Sequence, residues 1–296
     1  MNNGLKTAVL LAGLGALFMA VGAAFGGSSG LMIGLILGLL LCGGTYWFSD
    51  KLAIRSARAT PITRDDDPAL YAMVERLAER GDLPMPRVYV SPEPQPNAFA
   101  TGRNPQHAVV CVTQGLRELL PPDELEGVLA HEMAHVKHRD ILIGSVAAAV
   151  AMGITFLARM LMWGAMLGGG DDDDNPIGIL GVLAMVILAP LAAALIQMAI
   201  SRSREYEADA GGARMLGTGE PLARALEKID VYAKRIPMQR VNPAQENAFI
   251  INPFQAPEPG TRRKQGKSLG DYFRTHPPTA DRVARLRAMQ LETEAR

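Results

Sequence analysis

The chain has 296 residues, with 30 lysines and arginines balanced by 30 aspartates and glutamates, and it contains two cysteines. This neutral balance, without a basic tract or interleaved aromatic residues, excludes a typical nucleic-acid-binding protein. Two cysteines are too few for a zinc site made of thiolates. Cys42 falls in an apolar run and Cys111 in a charged segment, so we expect both to be small apolar fillers rather than a disulfide.

Two long stretches contain no charged residue, from Thr7 to Ser49 and from Ile177 to Ile200. A membrane helix needs about 20 apolar residues, so the sequence predicts two membrane hairpins. The first covers residues 1–50, with spans at about 7–25 and 31–48, and the second covers residues 141–200, with spans at about 141–165 and 177–200. A cleaved signal peptide is the alternative for the first span, and a buried soluble hairpin is the alternative for the second pair.

Basic residues follow each hairpin, at Lys51 and Arg55 and again at Arg202 and Arg204. The positive-inside rule therefore predicts that both termini and the polar segments lie in the cytoplasm. Residues 51–140 and 201–296 are expected to form one domain, with a long mobile loop at about 237–270. The predicted strands cover 87–90, 98–101 and 108–113. Predicted helices begin at Asp65, Pro121, Glu205 and Pro221, and Thr279 is the expected N-cap of a final helix.

The sequence His131-Glu132-Met133-Ala134-His135 lies on the amphipathic helix that begins near Pro121. Two histidines four residues apart share one helix face, so both rings can bind one metal ion with a glutamate beside them. This is the H-E-x-x-H arrangement of zinc peptidases. The predicted fold class is therefore mainly α with a small β-sheet, combining four transmembrane helices with a cytoplasmic zincin-like metallopeptidase domain.

A catalytic zinc ion takes three protein ligands, so a third must come from elsewhere in the chain. His138 is displaced along the helix axis and His107 lies on a predicted loop, which disfavours both. Glu205 and Asp209 share one face of the helix after the second hairpin. One of them could bind the metal while the other accepts a ring N–H from a ligand histidine. The alternative is an ordinary charged helix, although its small residues would allow close packing on another helix; they are Ala208, Ala210, Gly211, Gly212 and Ala213.

Four segments resemble the HtpX family of membrane-bound zinc metallopeptidases, relatives of the CAAX prenyl protease. The segments are Asn97-Ala98-Phe99-Ala100-Thr101-Gly102, His131 to His135, Arg204-Glu205-Tyr206-Glu207-Ala208-Asp209, and His276-Pro277-Pro278-Thr279 with Arg282. With the four predicted spans, the resemblance covers nearly the whole chain. It implies an integral inner-membrane endopeptidase with one zinc ion, which cleaves misfolded or damaged membrane proteins in quality control and the stress response.

The resemblance also implies roles for individual residues. His131, His135 and Glu205 are expected to bind zinc, Asp209 to support a ligand, and Glu132 to be the catalytic glutamate that takes a proton from the attacking water.

The substrate cleft and the oxyanion donor are further expectations. His276 is the first candidate to stabilise the oxyanion, and Tyr206 is a weaker one that could instead only pack beside Glu205. The substrate is expected to lie along the strand formed by Asn97, Ala98, Phe99 and Ala100, because a strand edge binds any peptide through its backbone. The alternative for this strand is a structural element that ends in a glycine turn.

Two other functions stay open on the sequence. One is a processing protease with narrow specificity for a lipidated or C-terminal motif, and the other is a non-catalytic membrane scaffold with a structural metal. The expected partners are a peptide or membrane-protein substrate and the lipid bilayer, without nucleic acid. The sequence does not predict an oligomeric state.

Overall fold

The computed structural model describes residues 3–141, 202–235 and 277–294. The helices are α1 (Asn3–Ser56), α2 (Pro68–Gly81), α3 (Gln114–Leu119), α4 (Pro122–Lys137), α5 (Arg202–Leu216), α6 (Glu220–Arg235) and α7 (Thr279–Glu294). The strands are β1 (Thr60–Pro61), β2 (Arg87–Ser91), β3 (Ala98–Thr101) and β4 (Val109–Thr113). The prediction of a mainly helical chain with one small sheet is therefore confirmed.

Helix α1 reverses direction near Gly27, which has a positive φ of 55°. A side chain added at Gly34 would collide with the carbonyl oxygen of Phe18, and one added at Gly30 would collide with that of Gly22. In a straight helix, residues 18 and 34 would lie about 24 Å apart. By length and hydropathy, no helix within the described ranges meets the requirements of a membrane span.

The chain divides into two compact units, and the first unit's described residues end at Tyr46. The second unit contains the end of α1 from Trp47 onwards and all the remaining described elements. The predicted second hairpin at 141–200 and the predicted mobile loop at 237–270 lie outside the described residues.

The sheet has the strand order β1-β2-β4-β3. Strands β2 and β4 are parallel, whereas β3 runs antiparallel to β4 and forms one edge. Arg87, Val109 and Thr101 lie side by side in register, so the start of β2, the start of β4 and the end of β3 meet at one end of the sheet.

Helix α4 lies at the centre of the second unit, where it contacts α2, α5, α6 and the sheet. Its apolar side chains, including Leu129 and Met133, are fully buried in a core shared with Leu77 of α2 and Leu226 of α6. Backbones approach most closely where glycine replaces a side chain. A Cβ atom at Gly212 of α5 would lie 2.9 Å from the backbone nitrogen of His131.

Two short elements and several boundaries differ from the sequence prediction. The two-residue strand β1 and the six-residue helix α3 are too short to give a periodic pattern. Helix α2 begins at Pro68, three residues after the predicted start at Asp65, because Asp67 caps it. The described part of α5 begins at Arg202, three residues before the predicted start at Glu205. Helix α7 begins at Thr279 itself, with the carbonyl of Pro278 accepting from the N–H groups of Asp281 and Arg282.

Candidate metal centre

Two adjacent helices bring His131, His135 and Glu205 together. On α4, the Nε2 atoms of His131 and His135 are 3.2 Å apart. Glu205 enters from α5, with one carboxylate oxygen 3.6 Å from Nε2 of His135 and the other 3.9 Å from Nε2 of His131. Each residue can offer one ligand atom within 4.8 Å of the others. The site is enclosed, since His131 and Glu205 are buried and His135 is partly buried.

These distances fit a tetrahedral metal site. With metal–ligand bonds of about 2.0–2.2 Å, two ligand atoms of a tetrahedron lie about 3.3–3.6 Å apart. The observed separations of 3.2, 3.6 and 3.9 Å bracket that value. Two imidazoles and one carboxylate also form the kind of donor set found in catalytic sites, which keep one position open. The side chains are thus arranged to hold a metal ion without a large rearrangement.

The first histidine is held by a buried carboxylate and arginine. Oδ1 of Asp209 lies 2.9 Å from Nδ1 of His131. Arg282 of α7 in turn donates two hydrogen bonds to Asp209, of 2.9 and 2.7 Å, and its Nη1 lies 3.7 Å from Glu205. This arrangement fixes the ring orientation of His131, as carboxylates behind ligand histidines do. Arg282 belongs to the fourth resembling segment, but nothing in its local pattern indicated this contact.

The second histidine has its own carboxylate partner, Asp140, which sequence reasoning missed. Its Oδ2 lies 3.4 Å from Nδ1 of His135. The chain turns back after α4 because Arg139 adopts a left-handed conformation with φ of 57°, and the Asp140 N–H donates to the His135 carbonyl over 2.9 Å. A spacing of five residues is not a helix-face spacing, so helical periodicity could not reveal this pair.

Burial and these carboxylates set the charge of the centre. Burial disfavours the charged form of His135, but the hydrogen bond to Asp140 and the charges of Glu205 and Glu132 outweigh it and raise its pKa to about 9. Burial would also raise the pKa of Asp209, yet the charge and hydrogen bonds of Arg282 lower it to about 2. Without metal, the protein therefore keeps Asp209 ionised and binds a proton on His135.

Glu132 of helix α4 forms a hydrogen bond with the edge strand β3. Its Oε2 accepts a hydrogen bond of 2.9 Å from the backbone N–H of Ala100 in β3. The neighbouring Asn97 bonds to Thr113 of β4 through its backbone N–H and C=O. Because hydrogen-bonding direction alternates along a strand, the backbone groups of Ala98 and Ala100 face away from β4. The strand predicted as the cleft thus lies directly beside the predicted catalytic glutamate.

Other candidate residues lie in different settings. The guanidinium of Arg285 stacks on the ring of Tyr206, 3.8 Å from its centroid. His138 caps α4 outside the three-residue cluster, and His107 is exposed on the loop before β4. Cys111 is fully buried, and burial raises the pKa of its thiol to about 12, which agrees with an apolar filler. His276 lies outside the described residues.

Comparison with known proteins identifies the family. Residues 64–290 match peptidase family M48. The chain belongs to peptidase family M48. It is 50% identical over 292 residues to a protease HtpX homolog of Syntrophobacter fumaroxidans, covering 98% of this chain and 100% of that protein. It is 48% identical over 299 residues to a protease HtpX homolog of Nostoc punctiforme, covering 100% of both.

A solved structure of S. mikatae Ste24p is also similar, with 21% sequence identity and a TM-score of 0.49. The match covers 95% of this chain and 65% of that one. Membership in M48 and the high similarity to the HtpX homologs make the chain a metalloprotease. The metal that the family implies has a matching set of side chains in His131, His135 and Glu205.

Proposed function

We propose that this metalloprotease is a zinc-dependent endopeptidase of the bacterial inner membrane that cleaves misfolded or damaged membrane proteins in quality control. The observation that carries the proposal is the buried centre of His131, His135 and Glu205 next to Glu132, which itself accepts a hydrogen bond from β3, a strand at one edge of the described sheet. Metal ligands, a proton acceptor and a peptide-binding edge are the parts that peptide hydrolysis requires.

The chain's own side chains have distinct tasks in this reaction. When bound, zinc supplies a Lewis acid that polarises the scissile carbonyl and lowers the pKa of water. Glu132 takes the proton of the attacking water and returns it to the leaving amine. Asp209 and Asp140 lie beside Nδ1 of the two imidazoles and keep them oriented, so that the two Nε2 atoms would hold the metal together with Glu205.

The substrate binds as an added strand beside β3 and lies along residues 97–100. Backbone pairing recognises any extended peptide, which favours broad specificity over the processing of one lipidated or C-terminal motif. His276 remains our first candidate for stabilising the oxyanion. Tyr206 is less suitable, because its ring is engaged by Arg285 in a stacked contact.

The membrane assignment rests on the sequence and on the surface of α1. Two hairpins, at 1–50 and 141–200, would anchor a catalytic domain formed by 51–140 and 201–296, with both termini in the cytoplasm. The large apolar side chains on the surface of α1 include Met32, Ile33, Ile36, Leu37, Leu39 and Leu40, each at least 46% exposed. An apolar surface of this size is costly in water and is stabilised by lipid.

Glu132→Gln tests the proposal. We expect this variant to keep the fold and the bound zinc but to lose at least about 100-fold in cleavage rate, because an amide cannot accept the water's proton. The matched control is Glu118→Gln, an exposed glutamate on α3. Zinc content, thermal unfolding and cleavage of an unfolded protein are measured on all three proteins. Full activity of Glu132→Gln with bound zinc would refute the proposed mechanism.

A further inference from the structure

The loop that follows the edge strand β3 contacts α1 close to Ser49, where the uncharged run of α1 ends. After Thr101 the chain turns at Gly102, and the guanidinium of Arg103 lies over the ring of Trp47, 4.7 Å from its centroid. Trp47 is the third-last residue of the uncharged run that ends at Ser49. The end of the predicted substrate strand therefore contacts the end of the first predicted membrane hairpin.

A second contact joins the same end of the sheet to Asp50 of α1. Arg87, the first residue of β2, forms an ion pair of 2.7 Å with Asp50. Arg87 and Thr101 both pair in register with Val109, so they lie at one end of the sheet. Two independent side-chain contacts thus hold this end of the sheet against residues 47–50.

Residues 47–52 have the composition of a lipid–water boundary. Trp47, Phe48 and Leu52 are 55%, 50% and 48% exposed, although all three are large and apolar. Lys51 lies over the Phe48 ring at 5.2 Å. Exposed aromatic residues at the end of an uncharged run, beside basic residues, are typical of the membrane interface.

The distance from this boundary to Ala100, the strand residue that contacts the predicted catalytic glutamate, is short. The Ala100 N–H contacts Glu132, and Ala100 is three residues before Arg103, at most about 11 Å of backbone. Adding an extended arginine side chain and the 4.7 Å to the Trp47 centroid gives an upper limit of roughly 23 Å. An extended peptide covers this distance in about seven residues.

We propose that the preferred substrates are membrane proteins with an unfolded segment that starts directly at the end of a transmembrane helix, and that the cut falls within about seven residues of the lipid boundary. This inference rests on the proposed function, because it needs both peptide hydrolysis at the metal centre and insertion of α1 in a bilayer. It adds the position of the substrate's cleavage site relative to the membrane.

The test uses the full-length zinc-loaded protein reconstituted in phospholipid vesicles. The anchored test substrate is one transmembrane helix followed by a long unfolded tail of a single repeated cleavable sequence. Because every repeat is chemically the same, the cut positions found by mass spectrometry report distance from the lipid alone. We expect cuts to cluster within about seven residues of the helix end. Cuts spread evenly along the tail, or only far from the helix, would overturn the inference.

A soluble peptide of the same repeat distinguishes the inference from the proposed function. Cleavage throughout the soluble peptide, without clustering on the anchored substrate, refutes the boundary inference and leaves the endopeptidase intact. No cleavage of either substrate refutes the endopeptidase and the inference together. Clustering on the anchored substrate, with cuts throughout the soluble peptide, supports both.

Variants of Arg103 test whether the contact with Trp47 sets the distance. Arg103→Ala removes the cation above the ring, so we expect the clustered cuts to spread outward over a wider part of the tail. Arg103→Lys keeps a cation and should restore a narrow cluster. The control is Arg64→Ala, which removes an exposed arginine paired with Glu75 and should leave the cut positions unchanged. Identical cut positions in Arg103→Ala and wild type would show that this contact does not set the distance.

Discussion

Gly212 is the position where a single methyl group should separate the two metal-binding helices. A Cβ atom at Gly212 would lie 2.9 Å from the His131 nitrogen, 3.0 Å from the Ala130 carbonyl carbon and 3.2 Å from its oxygen. Ordinary van der Waals contact begins at about 3.4 Å, and these atoms belong to a helix backbone that cannot rotate away. In Gly212→Ala, α5 must therefore move away from α4 by about half an ångström.

This displacement should act on stability and on metal binding together. Alanine in place of glycine favours a helix by about 0.5–1 kcal/mol, whereas overpacking costs about 1–3 kcal/mol. We expect overpacking to dominate, with a net loss of about 1–2 kcal/mol. Glu205 lies two turns before Gly212 on the same helix and moves with it. Because metal–ligand distances tolerate only about 0.2 Å, zinc affinity should fall roughly tenfold or more.

Chemical denaturation and competition with a chelator measure the two effects. The matched control is Gly43→Ala in α1, where an added Cβ meets no atom of the described residues within 4 Å. That variant should keep its zinc affinity and gain rather than lose stability. If Gly212→Ala were as stable as wild type and bound zinc equally well, the rigid contact between α4 and α5 would be refuted as the device that positions Glu205.

Two further predictions concern charge at the centre. Asp209→Asn removes the carboxylate that accepts two hydrogen bonds from the buried guanidinium of Arg282, so we expect a loss of about 3–5 kcal/mol in unfolding free energy and a 10–100-fold weaker zinc affinity; unchanged values in denaturation and chelator titrations would contradict this. The pKa of His135 in the metal-free protein is raised from 6.5 to about 9. Its protonation therefore stabilises the metal-free fold fully below pH 6.5, and that stabilisation is lost as the pH rises through 9. Since metal must displace this proton, apparent zinc affinity should rise about tenfold per pH unit up to about pH 9, and a flat profile between pH 7 and 9 would refute proton competition.

Local patterns predicted the parts of the site that lie within one helix turn of each other. His131 and His135 share a face by spacing, and Glu205 and Asp209 do so on the second helix. The small residues 208–213 also predicted the close packing of that helix, which the structure confirms at Gly211 and Gly212. These features are visible in sequence because helix geometry alone fixes them.

Contacts that depend on chain reversal or on distant segments could not be predicted in this way. Asp140 reaches His135 only because α4 ends at Lys137 and Arg139 turns the chain back. Arg282 meets Asp209 from 73 residues away, through the packing of α7 on α5. The contact between Arg103 and Trp47 joins a loop to a helix more than fifty residues earlier, and no periodicity encodes it.

Because the centre depends on segments that are far apart in the sequence, it should form late in folding. The two histidines come from one helix, but Glu205, the proposed third ligand, and Asp209 follow residues 141–200, and Arg282 follows a further long segment. Until Arg282 packs against it, Asp209 would be a buried carboxylate without a cation, which is costly. The complete donor set should therefore form only when all three segments have assembled. Under the proposed function, a partly folded chain would therefore lack the centre that could cleave its neighbours.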